Sequence, residues 1–201
     1  MEIKTIEMAG FAGALSALRL PFGKEERSDI NFYTNRGSVV GFVDESTEGN
    51  ERTTHVSFTS DIWINGKDLD LMSTLVKRGD EHAKVTRGII VFAKITAPIY
   101  WWCELETYRA GHERLASSST MHIDCRGLSG EALQEAKASI PMGKELTKVD
   151  FFSYQCLRNM YRQRYNHRLQ EWHSFCDWIK DLPFAEELIL SGLDIKEEAG
   201  K

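Results

Sequence analysis

Residues 75–119 read LVKRGDEHAKVTRGIIVFAKITAPIYWWCELETYRAGHERLASSS, and this stretch decides the fold class. Gly88 to Thr96 (GIIVFAKIT) is a short apolar run bounded by Gly and Pro, the pattern of a buried strand. Pro98 stands where a first helical turn tolerates a residue without an N–H. Ile99 to Gly111 (IYWWCELETYRAG) then predicts a helix carrying large aromatics. Ser117-Ser118-Ser119-Thr120 follows. Hydroxyl side chains compete with the backbone for hydrogen bonds, so this run reads as loop. A strand followed directly by a helix points to a mixed α/β (α+β) chain.

Outward from this stretch, Met1 to Met8 alternates like a short strand. Ala9 to Arg19 has helical spacing and ends near Pro21 and Gly23. Lys24 to Asp29 is a charged connector. Ser38 to Asp44 and Thr54 to Asn65 are β-branched and aromatic and flank the polar segment Glu45 to Arg52, which is a hairpin signal. Asn65-Gly66 marks a turn, and Asp68 is positioned to cap a helix through Lys77. Ser129 and Glu131 open a helix to about Ser139, broken by Pro141 and Gly143. Leu146 to Asp181 reads as helix, one or two, and Pro183 with the closing Glu/Lys tail marks the end of the fold. No internal repeat or low-complexity linker interrupts residues 1–201, so a single domain is expected.

Composition excludes several classes. The chain has 201 residues, 42% hydrophobic and 27% charged, with a net charge of −5. That is globular composition with enough length for one sizeable core. No run of 18 apolar residues predicts a membrane span. A sequence pI near 5.7 argues against charge-driven binding to a nucleic-acid polymer. The first residues, MEIKTIEMAG, lack a secretory pattern. The four cysteines form no C-x-x-C pair, so they read as reduced thiols in the cytoplasm. Cys103, His112, His122 and Cys125 match no usual zinc spacing, and no metal site is expected.

The acidic chain contains one basic concentration. Arg158, Arg162, Arg164 and Arg168 fall within eleven residues, with His167 among them. On a helix Arg158 and Arg162 share one face, and Arg164 and Arg168 another. From spacing alone the better reading is a solvated helix whose arginines pair with Glu171, Asp177 and other carboxylates. The competing reading turns one arginine inward to grip a phosphate with its planar fork. Tyr108-Arg109, His112 and the hydroxyl run form a second anion-binding candidate or a plain polar loop. Trp101-Trp102 reads as core. No Gly-rich phosphate loop, G-x-S-x-G or H-E-x-x-H is present.

The order and spacing of these blocks resemble the flavin-dependent thymidylate synthases. In that family a helix ending in H-G-H-E precedes a strand, a k-A-P turn, and a helix with the signature R-H-R-x-x-S-x-x-x-x-S-x-R. Arg78-Gly79-Asp80-Glu81 stands at the first place and Lys94-Ile95-Thr96-Ala97-Pro98 at the turn. The signature falls on Thr107-Tyr108-Arg109, His112, Ser117 and Ser119. Glu135-Ala136-Lys137 through Pro141 resembles the family's E-A-R…L-P, and Asn159 with Arg164 its asparagine and following arginine. Gln170 resembles its A-Q motif, and Gly10 to Gly23 its N-terminal helix. The likeness covers most of the chain except roughly residues 30–66, which read as an inserted hairpin. It implies an antiparallel sheet with flanking helices.

The resemblance further implies a dUMP-like pyrimidine deoxynucleotide held by Glu104, Arg109, Ser117, Lys137 and Arg164. Arg164 and Ser117 would stand at the chemistry, C5 methylation by a thymidylate synthase-like methyltransferase. It implies FAD near Glu81, Tyr108, Gln155 and Asn159, a folate methylene donor, and a homotetramer with sites shared between chains. Several positions depart from the family. Thr107, Tyr108 and Thr86 stand where it has flavin-binding Arg or His residues, and Ser119 replaces the last Arg. Each charge-assisted bond is worth about 1.5–3 kcal/mol, so flavin binding should weaken. Lys137 keeps the charge of the family's Arg without its bidentate geometry. Glu104 replaces Gln and needs Lys137 or an arginine as partner. Two alternatives stay open: a paralogue without FAD that modifies a pyrimidine nucleotide by other chemistry, and a non-catalytic binding or assembly protein. The basic cluster and the implied nucleotide site coincide at Arg164.

Overall fold

The computed structural model of the chain describes residues 1–24, 42–48, 51–57 and 66–193. Its centre is a four-stranded antiparallel sheet of β1 (Glu2–Ala9), β4 (Ile90–Pro98), β5 (His112–Ser117) and β6 (Glu145–Ser153), in the order β1-β4-β6-β5. The apolar run expected as a buried strand is β4. Its alternate side chains Val91, Ala93, Ile95 and Ala97 are all fully buried. The helices are α1 (Phe11–Leu18), α2 (Gly66–Lys77), α3 (Ile99–Leu105), α4 (Thr120–Ile123), α5 (Gly130–Ala138), α6 (Tyr154–Arg164) and α7 (Gln170–Lys180). The expected antiparallel sheet with flanking helices is therefore present.

An aromatic knot joins helix to sheet. Trp101 on α3 lies 5.0 Å from Trp102, 5.1 Å from Trp172 and 5.6 Å from Phe175, ring centre to ring centre. Phe152 of β6 packs 5.8 Å from Phe175. All five side chains are almost fully buried, so the Trp pair is core, as its sequence context suggested. Rings of this size dominate the area a core removes from water.

Several sequence expectations change. The helix from Ile99 stops at Leu105, because Thr107 Oγ1 donates to the Glu104 carbonyl and the chain then turns through Gly111 at φ 79°. The hydroxyl run is not one loop: Ser117 ends β5 and Thr120 starts α4. The segment from Leu146 begins as β6, not helix. Its inward positions are Lys148, Asp150 and Phe152, so charged residues occupy places where alternation would show apolar ones. Ser153 then caps α6, its Oγ accepting from the Cys156 N–H.

The expected hairpin exists with shifted bounds. β2 (Phe42–Glu48) and β3 (Glu51–Ser57) pair antiparallel, with Glu48 opposite Glu51. The ladder thus runs through the polar segment instead of flanking it. Residues 38–41, 58–65, 25–29 of the connector and 194–201 of the tail lie outside the described residues. Asp68 does not cap α2 from outside. It sits buried in the first turn and pairs with Arg19 at 2.7 Å, tying α2 to the end of α1. Gly10 opens α1 at φ 91°, and a Cβ there would lie 1.8 Å from the Gly88 carbonyl oxygen. Pro183 does not end the fold. Its carbonyl accepts from the Tyr154 hydroxyl at 2.7 Å, and a π-helical turn (Glu186–Leu190) follows, burying Leu188 and Ile189.

All four cysteines are free, with Cys103 exposed and Cys125, Cys156 and Cys176 buried. Burial pushes the Cys156 and Cys176 thiols up to about 12. The thiolate is the reactive form. A thiol-titrating reagent is therefore expected to label Cys103 promptly in the native protein, and the other three only after denaturation. Mass mapping of the labelled peptides checks this.

Candidate functional site

Arg164, at the C-terminal end of α6, is the centre of a polar and aromatic cluster. Its Nη1 donates to Glu104 Oε2 at 3.0 Å, and its Nε to the Tyr108 hydroxyl at 2.8 Å. The guanidinium carbon stands 4.6 Å from the Trp172 ring centre. Trp172 Nε1 donates to the same Glu104 oxygen at 2.8 Å, and His167 Nε2 lies 3.5 Å from it. The partner Glu104 required is therefore Arg164. The Tyr108 hydroxyl donates in turn to Gln163 Oε1 at 3.0 Å, and Gln163 Nε2 to Asn159 Oδ1 at 2.8 Å. One series of hydrogen bonds thus runs from Arg164 to Asn159.

Asn159 opens onto a cavity of about 520 Å³ at the N-terminal end of α6, lined by Asp80, Arg87, Gly111, Ser153, Gln155 and Cys156 among others. A Cβ on Gly111 would lie 2.3 Å from Ser153 Oγ, so glycine is what lets the turn close on the helix. Arg87 Nε donates to Gln155 Oε1, and its Nη2 to the Asp80 carbonyl. Sequence reasoning missed Arg87 and saw in its neighbour Thr86 only the loss of a flavin-binding His. Thr86 is buried and donates to the Ala83 carbonyl at 2.7 Å, a fold-holding role.

The remaining candidates are dispersed. Glu81 is exposed and lines a different, mainly apolar cavity of about 590 Å³ with Gly10, Ala14, Leu75 and Val85. Arg109 is exposed. Ser117 is exposed and donates to the Ser118 carbonyl at 3.0 Å. Lys137 is exposed and donates to Thr120 Oγ1. Among the described residues no hydrogen bond or ion pair joins Arg109, Ser117 or Lys137 to Arg164. Of the five nucleotide candidates, one chain therefore brings only Glu104 and Arg164 into bonding contact.

The other arginines of the basic cluster divide between roles. Arg158 is buried and its Nη1 donates to the carbonyls of Ile189 and Ser191 at 2.6 and 2.8 Å, closing the π-helical turn. Arg162 Nη2 donates to Asn159 Oδ1. Their expected carboxylate partners are engaged elsewhere: Glu171 accepts from the Tyr100 hydroxyl and Asp177 pairs with Lys180. The solvated-helix reading fits the exposed Arg162 and Arg168, but not the buried Arg158 or the partly buried Arg164, whose carboxylate neighbours are Asp80 at 4.0 Å and Glu104.

Sequence reasoning also missed a charged network beneath the Tyr108 turn. Asp150 is fully buried on β6. His112 Nε2 lies 2.8 Å from its Oδ2, and Arg114 Nε donates to its Oδ1 at 3.2 Å. His112 Nδ1 lies 2.9 Å from the Tyr108 carbonyl, so this ring links the turn to the central strand. Arg114 and Lys148 both donate to Glu106, and both cations lie over the Trp102 ring, at 5.2 and 4.5 Å. Burial pushes the Glu106 carboxyl up, but these two cations outweigh it and hold it below its ordinary value. Burial likewise pulls the Lys148 ammonium down. Among the described residues no group of three or more His, Cys, Asp and Glu converges as a metal site, and no helix is long and apolar enough to cross a membrane.

No family model and no curated protein sequence matches the chain. Solved structures do. The flavin-dependent thymidylate synthase ThyX of Helicobacter pylori, complexed with FAD and dUMP, superposes with a TM-score of 0.67 at 12% identity, over 96% of this chain and 100% of that one. The UMP/dUMP methylase PolB of Streptomyces cacaoi, bound with 5-Br dUMP, gives 0.62 at 11% identity, over 96% and 95%. At such identities the likeness is one of fold.

Proposed function

We propose that the chain binds a pyrimidine deoxynucleoside monophosphate of the dUMP kind and methylates its ring at C5. The observation that carries this reading is the partly buried Arg164 on its Trp172 and Tyr108 floor, in a fold shared with structures that hold dUMP or its bromo analogue. Arg164 orients the ligand, and Trp172 shields one side of that contact from water. Arg109, Lys137 and Ser117 are exposed donors suited to a phosphate. They do not meet Arg164 within one chain, which favours a homotetramer whose copies complete each other's sites. Four free thiols suit the cytoplasm.

The cavity at α6 fits the diphosphate of FAD poorly. It offers one guanidinium, Arg87, two carboxamides, Gln155 and Asn159, and the carboxylate of Asp80 in the same lining. A diphosphate needs its charges matched by cations or unshared N–H donors. Methylation at C5 would draw its carbon from a folate methylene donor and its reducing equivalents from flavin, and it is the second of these that the lining poorly accommodates. The same donor set favours, as a second reading, a paralogue that binds the nucleotide without FAD.

A thermal-shift and calorimetric panel of nucleotides tests the proposal. dUMP is expected to raise the melting temperature, since a ligand of the native state must stabilise it. Arg164→Ala should weaken dUMP at least tenfold, the effect of about 1.5 kcal/mol for one bond to a charged group. No shift with any pyrimidine monophosphate overturns the proposal. An unchanged flavin spectrum on adding FAD, with dUMP binding intact, selects the FAD-free reading.

A further inference from the structure

The cavity at the N-terminal end of α6 holds more hydrogen-bond donors than its own acceptors consume. Arg87 Nε donates to Gln155 Oε1, and an arginine can only donate. The Gln155 carboxamide is thereby fixed with its oxygen on Arg87 and its NH2 group left over. Asn159 is set in the same way, its Oδ1 accepting from Arg162 Nη2 at 3.0 Å and from Gln163 Nε2 at 2.8 Å. Among the described residues neither carboxamide nitrogen has a partner, and neither has Arg87 Nη1. Gln155 and Asn159 both line the cavity, and their four-residue spacing puts them on one face of α6. The charges of the lining leave Arg87 unanswered. Its recorded partners are a carboxamide oxygen and a backbone carbonyl, both uncharged. The Asp80 carboxylate lies 4.0 Å from Nε of the buried Arg158, which matches its charge. Burial pushes the Cys156 thiol up to about 12, so it adds no charge.

One unmatched cation beside two fixed NH2 groups complements one negative charge and one uncharged acceptor. We infer that this cavity binds a small organic acid of the keto-acid kind, its single carboxylate on Arg87 and the Gln155 NH2, its carbonyl oxygen on the Asn159 NH2. The two acceptors must stand about one helical turn apart, since side chains four residues apart have Cβ atoms about 5–6 Å from each other. A planar guanidinium suits a carboxylate, and the carboxamides, being neutral, tolerate no further charge. A second carboxylate or a diphosphate would find no second cation in the lining and would face Asp80 instead. Ala110, Gly111, Ser153 and Cys156 supply small uncharged walls for the carbon chain. The volume of about 520 Å³ falls within the roughly 300–1,000 Å³ of small-molecule sites. The inference goes beyond the nucleotide reading at Arg164 and does not depend on it.

Calorimetric titration of the full chain with levulinate, a keto acid of this spacing, tests the inference, with levulinamide, pentanoate and succinate as comparisons. Levulinate is expected to bind at least about tenfold more tightly than levulinamide, which lacks the charge that strengthens a hydrogen bond. It should also bind more tightly than pentanoate, which lacks the second acceptor, and than succinate, which brings a second charge. Arg87→Gln should erase the preference for the acid over its amide, and Asn159→Ala the preference for levulinate over pentanoate. Equal binding of levulinate and levulinamide by wild type, or no binding of either, overturns the inference. So does an acid-over-amide preference that survives Arg87→Gln, or tighter binding of succinate, pyrophosphate or FAD than of levulinate. The wild-type ratios need no variant, so a misfolded protein does not blunt the test. No arm contains dUMP, so failure here leaves the nucleotide reading intact, and failure of dUMP to bind leaves this inference intact.

Discussion

Asp150→Ala lowers the stability of the fold by about 3–5 kcal/mol, the cost of removing one partner from a buried ion pair. The carboxylate is fully buried on the central strand and holds His112 and Arg114 together. Without it His112 keeps only the Tyr108 carbonyl, and Arg114 keeps Glu106 beside a second cation, Lys148. The uncompensated charges, not the lost packing, make the change severe. Urea unfolding followed by tryptophan fluorescence checks it: the midpoint falls while the slope stays constant. A loss below about 1 kcal/mol, the range of an exposed pair, would show that the network is solvated.

Trp101→Ala has a comparable effect, about 3–5 kcal/mol, for the opposite reason. No ion pair is involved. The indole is fully buried and touches Trp102, Trp172 and Phe175, so its removal leaves a large cavity between α3 and α7. Its Nε1 has no hydrogen-bond partner among the described residues. Trp101→Phe, which removes that buried N–H and retains an aromatic ring, is therefore expected to cost much less. Calorimetric melting of the two variants gives the comparison. Equal losses would mean that shape alone, without the polar atom, governs the site.

The legible part of the chain was the part where pattern and burial agree. β4 and the Trp101-Trp102 pair lie in the core by the same apolar sequence that announces them. α1 and α5 are bounded by the glycines, prolines and caps that mark such helices. β6 was illegible because its inward face carries Lys148 and Asp150, whose burial depends on partners distant in sequence. β5 was illegible for a related reason: its side chains are mostly exposed, and the bulge between Arg114 and Ala116 breaks the alternation at Leu115. At the candidate site, Arg164 stood out by charge concentration. Its partner Glu104 was named as a nucleotide-binding position and as a carboxylate in need of a cation, but which cation was hidden because the two residues lie 60 positions apart. Arg87 was hidden because a 3-10 turn (Lys84–Arg87) rotates successive side chains away from the register a strand or α-helix would give.

The hydrogen-bond series from Arg164 through Tyr108 and Gln163 to Asn159 spans much of α6, joining the aromatic cluster at one end to the cavity at the other. Arg164 Nε can only donate, so its bond to the Tyr108 hydroxyl sets the direction of every bond that follows, down to the Asn159 oxygen. The Asn159 carboxamide is thereby fixed with its oxygen toward Gln163 and Arg162, which leaves its N–H groups as the part it can offer elsewhere.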